Sequence, residues 1–441
     1  MITRLVALSL FLVAALAAIV QGQLKSAEGD WPTWRGSDRT GLSTETGLLK
    51  EWPKGGPTLA WKITGLGDGY GSPSIRDGKI YVMGTKGQEE YLRCLAVADG
   101  KELWATEIGI MKGSGRMGFP GPRSTPTVDA ALVYAISSDG KLVCCDLKGG
   151  VVWKKSFPDD YGGKPGMWFY AESPLIDGDK LICTPGGSAA TMLCLDKKTG
   201  KETWRIVVTL KSTTPMGKGG SGGKGKGGFG GKREYSTAGY SSAIVAEVGG
   251  VRQYVQFLSG GVVGVAAKDG KLLWNFDAIG GNANCSTPIF SDDSVFVSAG
   301  YGSGSGRAKL SLDDGKMKAE KMYTEHGLAN HHGGVLLVDG HVYGTGNTNL
   351  MCVKFEDGST AWSSRGVGKG SIAYADGRLY VRGENGDIVL VEASPKEYKE
   401  KGRFTQPGRS SQKAWAHPVI AGGKLYLRDW DSLFVYDIKA K

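Results

Sequence analysis

The sequence predicts an all-β protein, an eight-bladed β-propeller of four-stranded antiparallel blades closed by an N-terminal strand. Three observations predict it. Glycine supplies 71 of 441 residues, more than double its ordinary share, beside 12 Trp and 17 Tyr. A unit of two apolar strands joined by an acidic-Gly turn recurs eight times, at a spacing near 46 residues. The last unit lacks a final strand, and a spare strand stands near the N-terminus. With 40% hydrophobic residues a wholly disordered chain is excluded, and the glycines lack the three-residue period of collagen.

The first half of each unit opens on a small-Pro or small-small pair. Examples are SPSIRDGKIYV from Ser72, STPTVDAALVYAI from Ser124, ESPLIDGDKLICT from Glu172 and STPIFSDDSVFVS from Ser286. Further copies begin at Gly333, Gly370 and His417, with a degenerate one at Tyr240. Asp-Gly between alternating apolar runs signals a hairpin, because such turns need positive φ. The second half runs through a third strand and a turn glycine to a Trp four residues on. Gly100 leads to Trp104, Gly149 to Trp153, Gly200 to Trp204, Gly270 to Trp274 and Gly358 to Trp362, while the fifth unit has Ala319 in that slot. The indoles are expected to fill the space between neighbouring blades.

Cys94, Cys144, Cys194 and Cys352 each lie six residues before a glycine. They therefore hold equivalent places on different units, too far apart to pair, and read as small buried hydrophobes. Cys144 and Cys145 are adjacent and could form a strained vicinal ring, although they sit in a strand.

The flanks and one insert depart from the repeat. Residues 1–22 carry Arg4, an apolar run from Leu5 to Val20 and small or polar residues after it, the pattern of a secretory signal peptide. The expectation is an exported chain, periplasmic or extracellular, with no lipobox cysteine at the boundary and no membrane span in the mature protein. Residues 23–58 form an N-terminal extension, and 59–441 the propeller. Within it, residues 211–239 read as a flexible Gly/Lys-rich loop. Between Lys211 and Arg233 six basic residues and no acid account for six of the net +10 charges, so a nucleic-acid partner is not expected.

After DSLFVYDIK only Ala440 and Lys441 remain, with no room for a Trp strand. LAWKIT, from Leu59 to Thr64, has the missing character, and pairing it with the last unit would close the ring and hide the edge. Short acidic-Gly turns lie on one face. The long connections between blades lie on the other, where innermost strands begin, and long loops on a rigid scaffold commonly carry function. Residues at those starts should converge on the channel mouth: Tyr70, Arg123, Glu172, Tyr240, Asn284, His331, His332, Lys369 and Trp415. An arginine, a carboxylate, an amide, paired imidazoles and aromatics suit a small polar ligand or a bound cation. No C-x-x-C-H, H-E-x-x-H, G-x-S-x-G or Walker motif is present in a fitting context.

The pattern "apolar strand, DGK, strand, L-x-C/A-L-D, x-x-G-K-x-x-W" resembles the PQQ-like β-propeller repeat family, over nearly all of residues 59–441. That family includes quinoprotein dehydrogenases and BamB, a propeller lipoprotein of outer-membrane assembly. WPTWRGSDRTGLSTETGLL (Trp31 to Leu49) also resembles the opening of exported members of the group. For a quinoprotein the resemblance implies PQQ and a Ca²⁺ held by Glu and Asn, for which Glu172 and Asn284 are candidates. It also implies a stacking Trp, for which Trp168 or Trp415 would serve, and a catalytic Asp, absent from the innermost-strand starts. Cys144 and Cys145 fall away from the channel, unlike the vicinal cysteines of some quinoproteins. The expected function is non-catalytic binding or scaffolding of a protein or envelope polymer through the loop-rich face. A PQQ-dependent dehydrogenase is the alternative, and a metal-dependent hydrolase or lyase using the His pair a third reading.

Overall fold

The computed structural model describes residues 27, 29–113, 119–210, 236–281 and 283–441. The leader expected at 1–22 and most of the Gly/Lys stretch lie outside them. The described residues form eight sheets of four antiparallel strands, one with a fifth strand added, and a single short helix at Phe157–Tyr161. Blades 1 to 7 take residues 74–110, 127–156, 175–206, 244–276, 289–325, 335–364 and 370–405 in chain order. Blade 8 combines three strands from residues 419–437 with Thr58–Ile63, whose Leu59 and Trp61 stand opposite Tyr436 and Val435.

The acidic-Gly hairpins have the φ values their sequence demands. Asp77-Gly78, Asp339-Gly340 and Asp376-Gly377 place both central residues at positive φ, between 46° and 77°. Such turns match the right-handed twist of the strands they join.

The core is partitioned rather than continuous. Eight buried hydrophobic clusters each bridge one pair of neighbouring blades. The one between blades 8 and 1 joins Val419 and Leu433 to Ile75 and Ile80. The tryptophans stand at these joints. The indole N–H of Trp61, Trp104, Trp153, Trp204 and Trp362 each donates to a backbone carbonyl of the next blade. The rings of the first four cover the turn glycines Gly100, Gly149, Gly200 and Gly270, where a Cβ would come within 2.9 Å of them. Blade 5, with Ala319 at the expected position, uses Tyr323 instead: its ring covers Gly358 and its hydroxyl donates to the Phe355 carbonyl. A longer hairpin with a bulge moves the seat four residues along.

The small residues that open each unit also have a structural reason. Their hydroxyls bond across the narrow centre from one innermost strand to the next. Ser74 donates to Pro126 O, Thr127 to Pro174 O, Ser241 to Ser286 O and Ser371 to Ala416 O. A larger side chain there would separate the strands.

The N-terminal extension stoppers the channel. Trp31 bridges to Ile75 of blade 1, and the Thr33 hydroxyl meets that of Thr127 in blade 2. Arg39 donates to Ser173 O and Pro174 O in blade 3, and Trp34 to the Thr287 hydroxyl in blade 5. Arg35 donates to Val335 O in blade 6, and Leu42–Ser43 pairs in parallel with the first strand of blade 7. Trp34 meets His417 of blade 8, with ring centroids 4.5 Å apart. Leu48 and Trp52 then seal the joint between blades 7 and 8. The N-terminal extension, where described, is thus built into the ring. Likewise Ser236, Thr237 and Ala238, expected within the flexible loop, are buried, and Ser236 N–H donates to Val208 O.

Candidate functional site: an aromatic, histidine-lined mouth

The face opposite the acidic-Gly turns collects the inter-blade connections and the turns between second and third strands. Its rings form a nearly continuous wall. The Trp415 ring lies 4.7 Å from those of Tyr70 and Phe119, and 6.0 Å from that of His332. His332 neighbours His331 at 5.6 Å, and His331 meets Tyr301 edge-on at 4.7 Å. Trp168 stacks near Tyr301 at 6.1 Å and reaches Tyr240 at 5.4 Å. Arg123 lies over Tyr70 at 5.6 Å, and its charge also acts on Tyr240 and Cys285.

Glu384 is the polar hub of this wall. It sits in the turn between the second and third strands of blade 7, so it is not at an innermost-strand start and residue-type reasoning at those starts passes over it. Its Oε1 accepts from the Trp415 indole at 2.8 Å and lies 3.7 Å from both His332 Nδ1 and Lys369 Nζ. Lys413 Nζ approaches Oε2 at 3.8 Å. Two cations, Lys369 and Lys413, thus face one carboxylate, while Arg123 donates to the Gly121 and Phe119 carbonyls. The imidazoles are neutral at pH 7: burial, then Lys369, pushes His331 down to about 4, while burial and the neighbouring His331 and His417 hold His332 well below the ordinary range. Their Nδ1 atoms lie 3.3 Å apart. They face each other and Glu384 rather than a hydroxyl or thiol, which is not a nucleophile–base arrangement.

Seven of the nine residues expected at the mouth come together there: Tyr70, Arg123, Tyr240, His331, His332, Lys369 and Trp415. Glu172 and Asn284 do not. Glu172 is buried beside the stopper, accepts from Thr184 N and feels Arg39, and burial raises its carboxyl to about 8. Asn284 spends its amide on Gly281 N and Leu258 O, stapling its own loop. With the Asn284 amide committed to its own loop and Glu172 held by Thr184 beside the stopper, the two do not present the Glu and Asn donor pair of a quinoprotein. Cys144 and Cys145 are fully buried free thiols in the third strand of blade 2, far from this wall in the blade's layering. Glu384, Phe119, Tyr301 and Lys413 are mouth residues that the unit-start pattern does not mark.

Several known proteins share this architecture. BamB from Moraxella catarrhalis superposes with a TM-score of 0.58 at 12% identity, over 87% of this chain and 98% of that one. Quinohemoprotein alcohol dehydrogenase from Comamonas testosteroni gives 0.54 at 12% identity, over 94% and 81%. At such identities the likeness is one of fold. In sequence, a serine/threonine-protein kinase, AfsK of Streptomyces griseus, is 28% identical over 175 residues. That match spans 39% of this chain and only 20% of the kinase. Among the described residues no helix is long and apolar enough to cross a membrane. The model of the family described as outer membrane protein assembly factor BamB matches residues 88–364, well over half the chain, and the protein belongs to that family of PQQ-like propellers.

Proposed function

We propose that the protein is an exported, non-catalytic binding propeller that docks an acidic segment of a partner protein on its loop-rich mouth. The observation that carries this reading is the pairing of exposed Met167 and Tyr301, 54% and 57% accessible, with the wall of rings and its excess of cations. Methionine, aromatic residues and arginine are the types enriched at protein interfaces, and surplus positive charge favours an acidic partner. The stopper supports a surface role as well, since it fills the channel behind the mouth.

The test is site-specific photocrosslinking in the cell that makes the protein. A crosslinker at Tyr301 should capture one discrete envelope protein, whereas one at Asp339, on the opposite face, should not. Equal capture from both positions, or none from Tyr301, would overturn the reading. The dehydrogenase alternative is checked separately by supplying PQQ, Ca²⁺ and an alcohol and following reduction of a dye; no reduction is expected.

A further inference from the structure

We propose that His331, His332 and Glu384 form a binding site for one divalent transition-metal ion of the zinc, cobalt or nickel type, open to solvent at the mouth. Each residue presents a ligand atom, and the three atoms lie within 4.8 Å of one another. The inference concerns the mouth itself and does not depend on what docks there.

The geometry is specific. A tetrahedral ion with bonds of about 2.05 Å holds its ligand atoms roughly 3.3 Å apart. The two Nδ1 atoms stand at 3.3 Å, and His332 Nδ1 to Glu384 Oε1 is 3.7 Å, a slightly opened edge of the same figure. Two nitrogens and one oxygen suit zinc-like ions rather than calcium or magnesium, which prefer oxygen alone. Three protein ligands leave a fourth position for water or for a partner's carboxylate.

Hydrogen bonding points the same way. The Nε2 atoms of both imidazoles are buried without a partner. If each ring carries its proton on Nε2, two Nδ1 lone pairs oppose each other across 3.3 Å. If one Nδ1 is protonated and donates to the other, its own Nε2 becomes a buried acceptor with no donor. A cation between the Nδ1 atoms removes the lone-pair opposition of the first arrangement, with the protons kept on Nε2. The rings are also held where a ligand must be held. The His332 carbonyl accepts from His417 Nε2, and the Trp415 indole fixes the Glu384 carboxylate. Such outer partners orient metal ligands. Lys369 and Lys413 act in the opposite sense, since each ammonium competes for the carboxylate.

That opposition makes the site testable against an anion pocket built from the same residues. The full-length protein is stripped with a chelator and titrated with Co²⁺, read by the visible d–d bands of a tetrahedral ion, then with Zn²⁺ in competition. One cobalt per chain is expected, displaced by zinc. His332→Ala and Glu384→Gln should each abolish the bands or weaken affinity by roughly a hundredfold, and Trp415→Phe should weaken it about tenfold. Lys369→Met should tighten binding, because it removes a competing charge. His341→Ala, half-buried at the start of a strand beside the Asp339-Gly340 turn on the opposite face, should change nothing. If His332→Ala fails to fold, Glu384→Gln carries the test, its fold checked by an unchanged melting curve without metal. Absence of the bands, their persistence in a folded ligand variant, or weaker binding in Lys369→Met would each overturn the proposal.

Discussion

Burial at Glu172 changes the charge state that its residue type suggests. Its carboxyl titrates from about 8 in the folded protein against 4.5 for the free group, chiefly through desolvation, with Thr184 and Arg39 opposing. Across that interval the folded state keeps a proton that the unfolded state has released. The stabilising contribution is therefore complete below 4.5 and lost as pH rises through 8. Urea unfolding of Glu172→Gln between those limits should show a shallower fall in stability than the parent; an identical slope would refute this account. His331 has the opposite sign. Its folded value of about 4 lies below 6.5, so its contribution is present above 6.5 and lost as pH falls. Residue types placed both groups near the channel, but the sequence carries no sign of which one points into the mouth. That depends on where the stopper lies, and the stopper belongs to no repeat.

Within the blade, turn glycine and tryptophan form one device shared by neighbours. The glycine must be left-handed, and at four joints it must also lie flat beneath the preceding blade's indole. Gly200 and Gly315 separate these demands, since their φ values are +68° and +73°, while a Cβ on Gly200 meets Trp153 at 2.8 Å and one on Gly315 meets nothing within 4 Å. Gly315→Ala should cost about 1 kcal/mol for the backbone alone. Gly200→Ala should cost about 3 kcal/mol, because a ring must also shift. Equal losses in equilibrium unfolding would show that the contact is unimportant. The device was legible wherever spacing was kept, since a Trp four residues after a glycine is a strict pattern. In blade 5 a bulge lengthened the hairpin, and Tyr323 took the seat without any local sign. Glu384 was hidden for a related reason: the second-to-third-strand turn shares the mouth's face, while the repeat draws attention to unit openings.

For the molecule as a whole, the extension and the last blades depend on each other. Removing residues up to Thr64 would strip the partner strand from Ser432–Asp437 and take the stopper from the channel, leaving an unpaired edge. Such a truncation should aggregate, seen by light scattering; a monodisperse and equally stable product would count against it. The eight-blade plan was readable because repetition multiplies a weak signal, whereas Trp31, Arg35 and Arg39 occur once and acquire meaning only from surrounding blades. Their placement also sets the order of events during synthesis. Thr58–Ile63 leaves the ribosome before any blade, yet its partner at Ser432–Asp437 follows more than 350 residues later. Local hairpins can form early, but these distant pairings must come last, as high contact order requires. Pulse-labelled hydrogen exchange during refolding should find the amides of Thr58–Ile63 protected after those of blades 2 to 5, so that a strand made before any blade acquires its structure after most of them.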